Sequence, residues 1–481
     1  MRPLMAFYER SMKKIVPIGS AALTLAVSVS VPGVARATQP LEEFIQRASV
    51  HSFEARENTA LVGQREAEAD AALGGLLPTA SARGVYTRNQ YEVVFHPDMS
   101  NPQIAIPIQK KDQFDAFLQL DVPLVNISAY HRYKSQRAIA QSTQEQREAT
   151  TLDVGRNVAR AYYNYLGASA LVRSAELSVK ATEDNLRVVE ARRDAGAATE
   201  LDRERARANV ERARQDVADA QLQMDLAARQ LETLSGLTPT PAEAFPADDL
   251  QHEAPIQTWL ARADKTPLAK SARSAEVAAQ QARKAASTAL YPTLSGSAVE
   301  RFTNASGFNP REYYYTLSLT AQIRLDYATL ATSRAQAFAA TASGVRSERT
   351  VRSLQDATFE AYRRVETGIV KSQAARSQAA AAARASTLSS ERYAAGVATQ
   401  LDVTQAQRDA FLADAARIQA DADLAAARAT LRLSVGQAPT RSSAQNLVPI
   451  ESVPAEPAGS APSVAPATAA PSSPAQPVRT P

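Results

Sequence analysis

The chain contains one stretch twice. Residues Arg192 to Gly236 and Arg392 to Gly436 stand in the same register, 200 residues apart. Each crosses a Gly, Ala, Thr turn and then carries small or apolar residues in alternating steps of four and three. The first seam is Ala206, Val210, Ala213, Val217, Ala220, Met224, Ala227 and Leu231. The second is Ala406, Ala410, Ala413, Arg417, Ala420, Leu424, Ala427 and Leu431, with Arg417 the one misfit. Three-four spacing is the pattern of packed helices of the coiled-coil type. Four alanines spaced by seven recur at equivalent positions, which makes this an internal duplication rather than a by-product of alanine-rich composition. The fold therefore has to accommodate two copies of one long helical unit.

The first 37 residues read as a secretory signal peptide. Arg2, Arg10, Lys13 and Lys14 precede an apolar run from Ile15 to about Val34, and Ala35, Arg36, Ala37 form a small-residue cleavage site. Pro17, Pro32 and several serines interrupt the run, which favours removal over membrane anchoring. With no Cys in the chain, a disulfide framework, a thiol nucleophile and an N-terminal lipoprotein are excluded together. The net charge of +4 is small for 481 residues, and its arginines are interleaved with acids. Nucleic acid is therefore not an expected partner.

The mature chain repeats one plan. Residues 38–236 form a first repeat: a helix from about Pro40 to Leu73, a β-hairpin over about 78–125, a long helix over about 126–194, a turn at 195–200 and a helix to 235. The first strand of that hairpin covers residues 80 to 95, and 96 to 111 read as a loop. In the second strand Phe114, Ala116, Leu118, Leu120, Val122 and Leu124 share one face, opposite Asp115, Gln119 and Asp121. Residues 237–265, with the lone Trp259, read as an irregular linker. Residues 266–436 form the second repeat. Thr266 and Pro267 open its first helix as an N-cap and N1 pair, and a hairpin follows over about 292–325. A long helix over about 327–394, a turn at 395–400 and a helix to 435 complete it. From 437 to 481 the chain is rich in Pro, Ala and Ser, a composition expected to be disordered.

The strands point to a membrane. Of the chain's 28 aromatic residues, 14 fall in two stretches totalling 88 residues, 83–133 and 291–327, around the hairpins. The last strand alternates sharply, with Tyr313, Tyr315, Leu317 and Leu319 on the face opposite Thr316, Ser318 and Thr320. Each strand has the roughly 9 to 11 residues a tilted membrane-spanning strand needs. The faces of Phe114, Leu118, Leu120, Val122, Tyr313, Tyr315, Leu317 and Leu319 are expected to meet lipid. Four strands cannot close a barrel, and open edges are not tolerated in lipid, so oligomerisation is required.

Taken together, the signal peptide and two tandem repeats of helix, Leu-x-Pro-Thr-like strand start, hairpin, long helix, Gly-x-x-Thr turn and heptad helix resemble the TolC-like outer membrane efflux proteins. The residues that carry the resemblance are Leu77, Pro78, Thr79 and Tyr291, Pro292, Thr293 at the strand starts. At the turns they are Gly196, Ala198, Thr199, Leu201, Asp202 and Gly396, Ala398, Thr399, Leu401, Asp402. The resemblance implies a mainly α chain with a transmembrane β part. It further implies a homotrimer whose 12-stranded β-barrel continues into a periplasmic α-helical barrel of coiled-coil character. The implied role is the outer-membrane duct of a tripartite efflux system, with a periplasmic adaptor and an inner-membrane transporter as partners. No cofactor is implied.

The turn residues have a plain structural role. Gly196 and Gly396 supply positive φ, Thr199 and Thr399 cap the next helix, and Asp202 and Asp402 complete capping boxes. The resemblance adds a gate: acidic residues at the position of Asp402 and three residues later, where this chain has Gln405. Only Asp402 is carried over, and the turns are the expected adaptor-docking tips. Catalysis is not expected, because His51, His96, His131 and His252 are scattered without metal-ligand spacing and no nucleotide or nucleophile motif is present. Two other roles are compatible with the residues: a type I protein secretion duct, and an exported coiled-coil protein of the cell envelope.

Overall fold

A computed structural model describes residues 39–97, 106–240, 248–309 and 311–440. The signal peptide expected over 1–37 and the tail beyond Thr440 lie outside the described residues. In chain order the elements are α1 (Leu41–His51), α2 (Phe53–Gly74), β1 (Thr79–Arg88), β2 (Val93–Phe95), β3 (Ile106–Gln109), β4 (Asp112–Val125), α3 (Ile127–Asp194) and α4 (Glu200–Ser235). They continue with α5 (Ile256–Ala263), α6 (Pro267–Thr288), β5 (Thr293–Thr303), β6 (Tyr313–Gln322), α7 (Tyr327–Ala394) and α8 (Gln400–Ser434).

Helices α3 and α7 have 68 residues each, which makes each about 100 Å long. Both open on a side-chain cap: Asn126 accepts from the Ala129 amide at 2.9 Å and Asp326 from the Thr329 amide at 2.6 Å. The first half of α3 packs against α2 and α6, and its second half against α4 and α8. Helix α7 packs against α6 and α5 and then α8. The helices thus stand in four columns: α2 with α4, then α3, then α6 with α8, then α7.

The main sheet is antiparallel with the order β1-β4-β5-β6. Strand β1 follows α2, β4 leads into α3, β5 follows α6 and β6 leads into α7, so the strand order repeats the column order. Both layers are consequently open along the same two edges, β1 above α2 and α4, and β6 above α7.

The heptad seam is core. Ala206, Val210, Ala213, Ala220, Ala227 and Leu231 of α4 are buried, as are Val158, Ala161, Tyr165, Val172, Ala175 and Val189 of α3. The largest cluster joins α1, α3, α4 and α8 through Phe44, Val158, Tyr162, Leu166, Leu231 and Leu433. Between α3 and α6 the seam changes chemistry. Ser128, Ser135 and Ser142, seven apart, donate to the carbonyls of Ala285, Ala278 and Ser271 at 2.8, 2.9 and 2.9 Å. Each of those acceptors is also seven residues from the next, as a matched antiparallel register demands.

The misfit Arg417 belongs to a charged stripe along α8. It reaches Asp414 at 2.8 Å and Asp421 at 3.5 Å. Buried Asp421 also accepts from Arg376 Nε at 3.0 Å and from the Ser372 hydroxyl. Further along α8, Arg428 and Arg432 hold the segment that follows residue 247. Arg428 lies 2.9 Å from Asp248 and 2.8 Å from Glu253, and Arg432 lies 2.8 Å from Glu253. This segment leads into α5, whose Trp259 is buried against Val365, Ile369, Leu424 and Leu431 of α7 and α8.

Four expectations need correcting. The helix expected over Pro40 to Leu73 is broken at Ser52, which leaves the helical region with ψ 146° and caps α2 by accepting from the Ala55 amide at 3.2 Å. The strand expected over 80 to 95 stops at Arg88, and the expected loop 96 to 111 contains β3, which pairs with β2 as a separate two-stranded extension. Part of the expected irregular linker is helical, as α5. Thr266 precedes Pro267 at the start of α6, yet its hydroxyl donates backwards to the Ala263 carbonyl at 2.8 Å instead of capping α6.

Candidate functional site: two helix turns and a two-faced sheet

The two turns are built alike. Gly196 and Gly396 have φ of 74° and 81°, a left-handed conformation that suits glycine. Around them paired bonds close the preceding helix: Gly196 N to Arg193 O and Ala197 N to Arg192 O at 2.8 and 2.7 Å, and Gly396 N to Tyr393 O and Val397 N to Arg392 O at 2.9 Å each. This is the Schellman arrangement. Thr199 and Thr399 then cap α4 and α8, each in a reciprocal capping box with Asp202 or Asp402. Hydrogen bonds from the Thr199 hydroxyl and amide hold the Asp202 carboxyl below the usual carboxylate range. Those from the Thr399 amide and hydroxyl do the same for Asp402. Ala198 and Ala398 are half-buried under the turns. Leu201, Leu401, Asp402 and Gln405 are exposed.

The two turns sit in different surroundings. Glu200 is exposed, whereas the equivalent Gln400 is buried, with its Oε1 unpartnered. Val189, Ala206, Tyr393 and Val403 form a small core between the repeats. Arg192 ties one turn to the other: its guanidinium lies 4.7 Å over the Tyr393 ring and donates to the carbonyls of Tyr393 and Ala394. The bridge follows no sequence periodicity. Its one signal was the break in symmetry at Arg193 and Tyr393, where the second copy alone carries an aromatic.

The sheet register sorts its side chains onto two faces. Rows such as Leu118, Glu300 and Tyr315, or Leu120, Ala298 and Leu317, share one side. Phe114, Leu118, Leu120, Tyr313, Tyr315, Leu317 and Leu319 are exposed there, Tyr315, Leu317 and Leu319 at 74, 71 and 68%, and Val122 on the same face is half-buried. Glu300 is the one charged residue in these rows. The opposite face is polar and carries Asp115, Gln119, Asp121, Ser297, Thr316, Ser318 and Thr320. Arg301 donates to Asp115 at 2.7 Å and to the Tyr314 hydroxyl at 3.1 Å. Arg83 and Arg301, on the strands flanking Phe117, lie 4.9 and 5.5 Å from its ring. An apolar face this size, left uncovered, is suited to hydrocarbon, and a sheet so disposed needs its edges paired.

Among the described residues no helix is long and apolar enough to cross a membrane, and no three His, Asp or Glu side chains are grouped to hold a metal. The outer membrane efflux protein family model matches residues 44–237 and 261–437, most of the chain. The chain belongs to that family. Like other outer membrane efflux proteins it is an outer-membrane channel component. Solved structures similar to it include the open state of the Neisseria gonorrhoeae MtrE outer membrane channel, 20% identical, covering 84% of this chain and 91% of that chain, with a TM-score of 0.69. The Campylobacter jejuni CmeC outer membrane channel is 14% identical, with coverages of 90% and 96% and a TM-score of 0.70. CusC, in a structure that concerns folding and transmembrane channel formation, is 19% identical, with coverages of 82% and 92% and a TM-score of 0.71. No curated protein sequence matches the chain. At these identities the structural likeness speaks for the efflux protein fold alone.

Proposed function

We propose that three copies of this efflux protein close edge to edge into a 12-stranded barrel continuous with a helical barrel. The resulting duct passively conducts small molecules received from an inner-membrane transporter through a periplasmic adaptor. The coincidence of strand order and helix-column order carries this reading. Because both layers are open along the same two edges, a single rotation that pairs β6 with a neighbour's β1 also brings α7 against that neighbour's α2 and α4. Closure removes every exposed strand edge, which a sheet with its apolar face in lipid requires. The duct needs no covalent chemistry, so the protein acts without catalysis. Mass measurement of the detergent-extracted protein tests the assembly: a trimer with single-channel conductance in planar bilayers is expected, and a monomer without conductance would refute it.

The turns at 195–200 and 395–400 are the surfaces for the adaptor, with Leu201 and Leu401 exposed beside them. Asp402 is the gating residue in this proposal, and Gln405, on the same exposed side of α8, adds no second charge. Asp202 and Asp402 both complete capping boxes, so Asp402→Asn and Asp202→Asn remove the same kind of contact from α8 and α4. Only Asp402→Asn is expected to raise conductance and weaken block by divalent cations. Equal recordings from the two variants would refute the gate.

A further inference from the structure

Where the sheet meets the helices, the polar face ends in a cleft of about 240 Å³ lined in part by Thr293, Gln322, Tyr291, Arg132 and Arg324. Thr293 and Gln322 are register partners at the foot of β5 and β6. They lie on the side of Ser297 and Ser318, away from Leu317 and Leu319, so the cleft opens on the polar side of the sheet. Tyr130 and Lys134, two residues to either side of Arg132 on α3, face the other way, since two residues turn a helix by about 200°.

Arg132 comes from α3 and Arg324 from the link between β6 and α7. Both are exposed, and neither forms an ion pair or hydrogen bond among the described residues. This contrasts with Arg301 higher on the same face, which is held by Asp115. The nearest acid to Arg324 in sequence, Asp326, feels its charge without pairing with it and has its carboxylate engaged by the Thr329 amide at 2.6 Å. The adjoining helix starts are already capped by Asn126 and Asp326, so the guanidinium pair carries the site and not the helix ends. Two exposed guanidiniums from different elements, neither in an ion pair, line one cleft with a hydroxyl and an amide and match the charge of a multivalent oxyanion.

We propose that this cleft is an oxyanion subsite on the wall of the duct, which takes phosphate or carboxylate groups of solutes in transit. The location on the duct wall rests on the assembly proposed above, whereas binding itself does not. The full-length protein in lipid-free detergent solution is titrated calorimetrically with inorganic pyrophosphate, and the same anion is added during bilayer recordings. Saturable binding is expected, weakened about tenfold or more in Arg132→Gln and in Arg324→Gln. It should be unchanged in Arg83→Gln, which removes a guanidinium from the same face away from the cleft. Current through the wild-type channel should fall with pyrophosphate and recover in the double variant. Absence of saturable binding, retained binding in both cleft variants, or equal weakening by Arg83→Gln would overturn the subsite. Binding lost in the cleft variants without any wild-type conductance would leave the subsite standing and overturn the duct.

Discussion

Replacing Arg428 with methionine should free the segment between Asp248 and Trp259 from the helices while leaving them folded. The Arg428 side chain is 7% exposed and its partner Glu253 is 5% exposed, at 2.8 Å. Arg428 also donates to the Gln251 carbonyl at 2.7 Å. Removing one member of a buried, hydrogen-bonded ion pair costs about 3–5 kcal/mol, chiefly because the other charge is left without compensation. Glu253 keeps Arg432 at 2.8 Å, and Asp248, which also loses Arg428, is 13% exposed and keeps the Leu250 amide, so the low end applies: about 3 kcal/mol, or roughly two orders of magnitude in the local opening equilibrium. The chain's single tryptophan reports on it, since Trp259 is buried and its indole donates to the Ala254 carbonyl at 3.0 Å. Acrylamide quenching of its fluorescence should rise in the variant, with helical circular dichroism unchanged. Acid should reproduce the effect in the wild-type protein. Burial pushes the Glu253 carboxyl up, but Arg432 and Arg428 outweigh it and leave the group below its usual range. Its contribution is therefore complete above the unfolded value of about 4.3 and is lost as pH falls through the lower folded value. Trp259 as protected from quencher in Arg428→Met as in the wild type would refute the reasoning.

Other substitutions test separate parts of the fold. Arg192→Met should loosen the contact between the two turns by about 1–2 kcal/mol, seen as faster amide exchange at Val397 and Gly396, while Arg192→Lys recovers only part of the protection because it lacks the planar guanidinium. Gly236→Ala should cost about 2 kcal/mol in a thermal melt, because φ is 72° there and an added Cβ would lie 2.7 Å from the His51 ring; adding His51→Ala should recover the steric part alone. Replacing Ser128, Ser135 and Ser142 together by alanine should cost about 2 kcal/mol net, three hydroxyl–carbonyl bonds less the better helix propensity of alanine. An unchanged melting midpoint would show that those bonds are isoenergetic with ones to water.

The long helices were legible because their packing is periodic. Seams such as Ala206 to Leu231 repeat every seven residues, and their small side chains are what allow close helix approach. The alternating strands were legible for the same reason, Phe114 to Leu124 and Tyr313 to Leu319 having one apolar face each. What escaped was aperiodic. Ser52 interrupts a helix by one local hydrogen bond, and β2 with β3 rests on a few residues that lack alternation. The contacts between repeats also escaped, because duplication preserves a pattern while the environment changes. Glu200 and Gln400 occupy the same place in the pattern, yet one is solvated and the other enclosed. Arg417 looked like a fault in an apolar seam because its partners, Asp414 and Asp421, lie on the same stripe among residues the seam does not count. In the site, the capping boxes could be read directly from Thr-x-x-Asp, whereas the Arg192 bridge and the cleft of Arg132 and Arg324 join residues some 200 positions apart.

The serine ladder between α3 and α6 has a mechanical consequence. An alanine and leucine seam sets its register through the shape of interdigitated side chains, since dispersion itself has no direction. Hydroxyl-to-carbonyl bonds repeated every seven residues have a fixed pitch. Any axial slip between α3 and α6 breaks all three at once, and the next matching register is a full heptad away, about 10 Å. Against α6, then, the end of α3 nearest the sheet behaves as a keyed joint. Its far end packs through Val172, Ala175, Ala220 and Val189 and is held by single bonds to α8, Ser174 to Asp414 at 2.6 Å and Gln407 to the Ala181 carbonyl at 3.2 Å, that share no common pitch. A rod made this way has its axial register set where it enters the sheet, some 100 Å of helix away from the turns that carry Gly196 and Gly396.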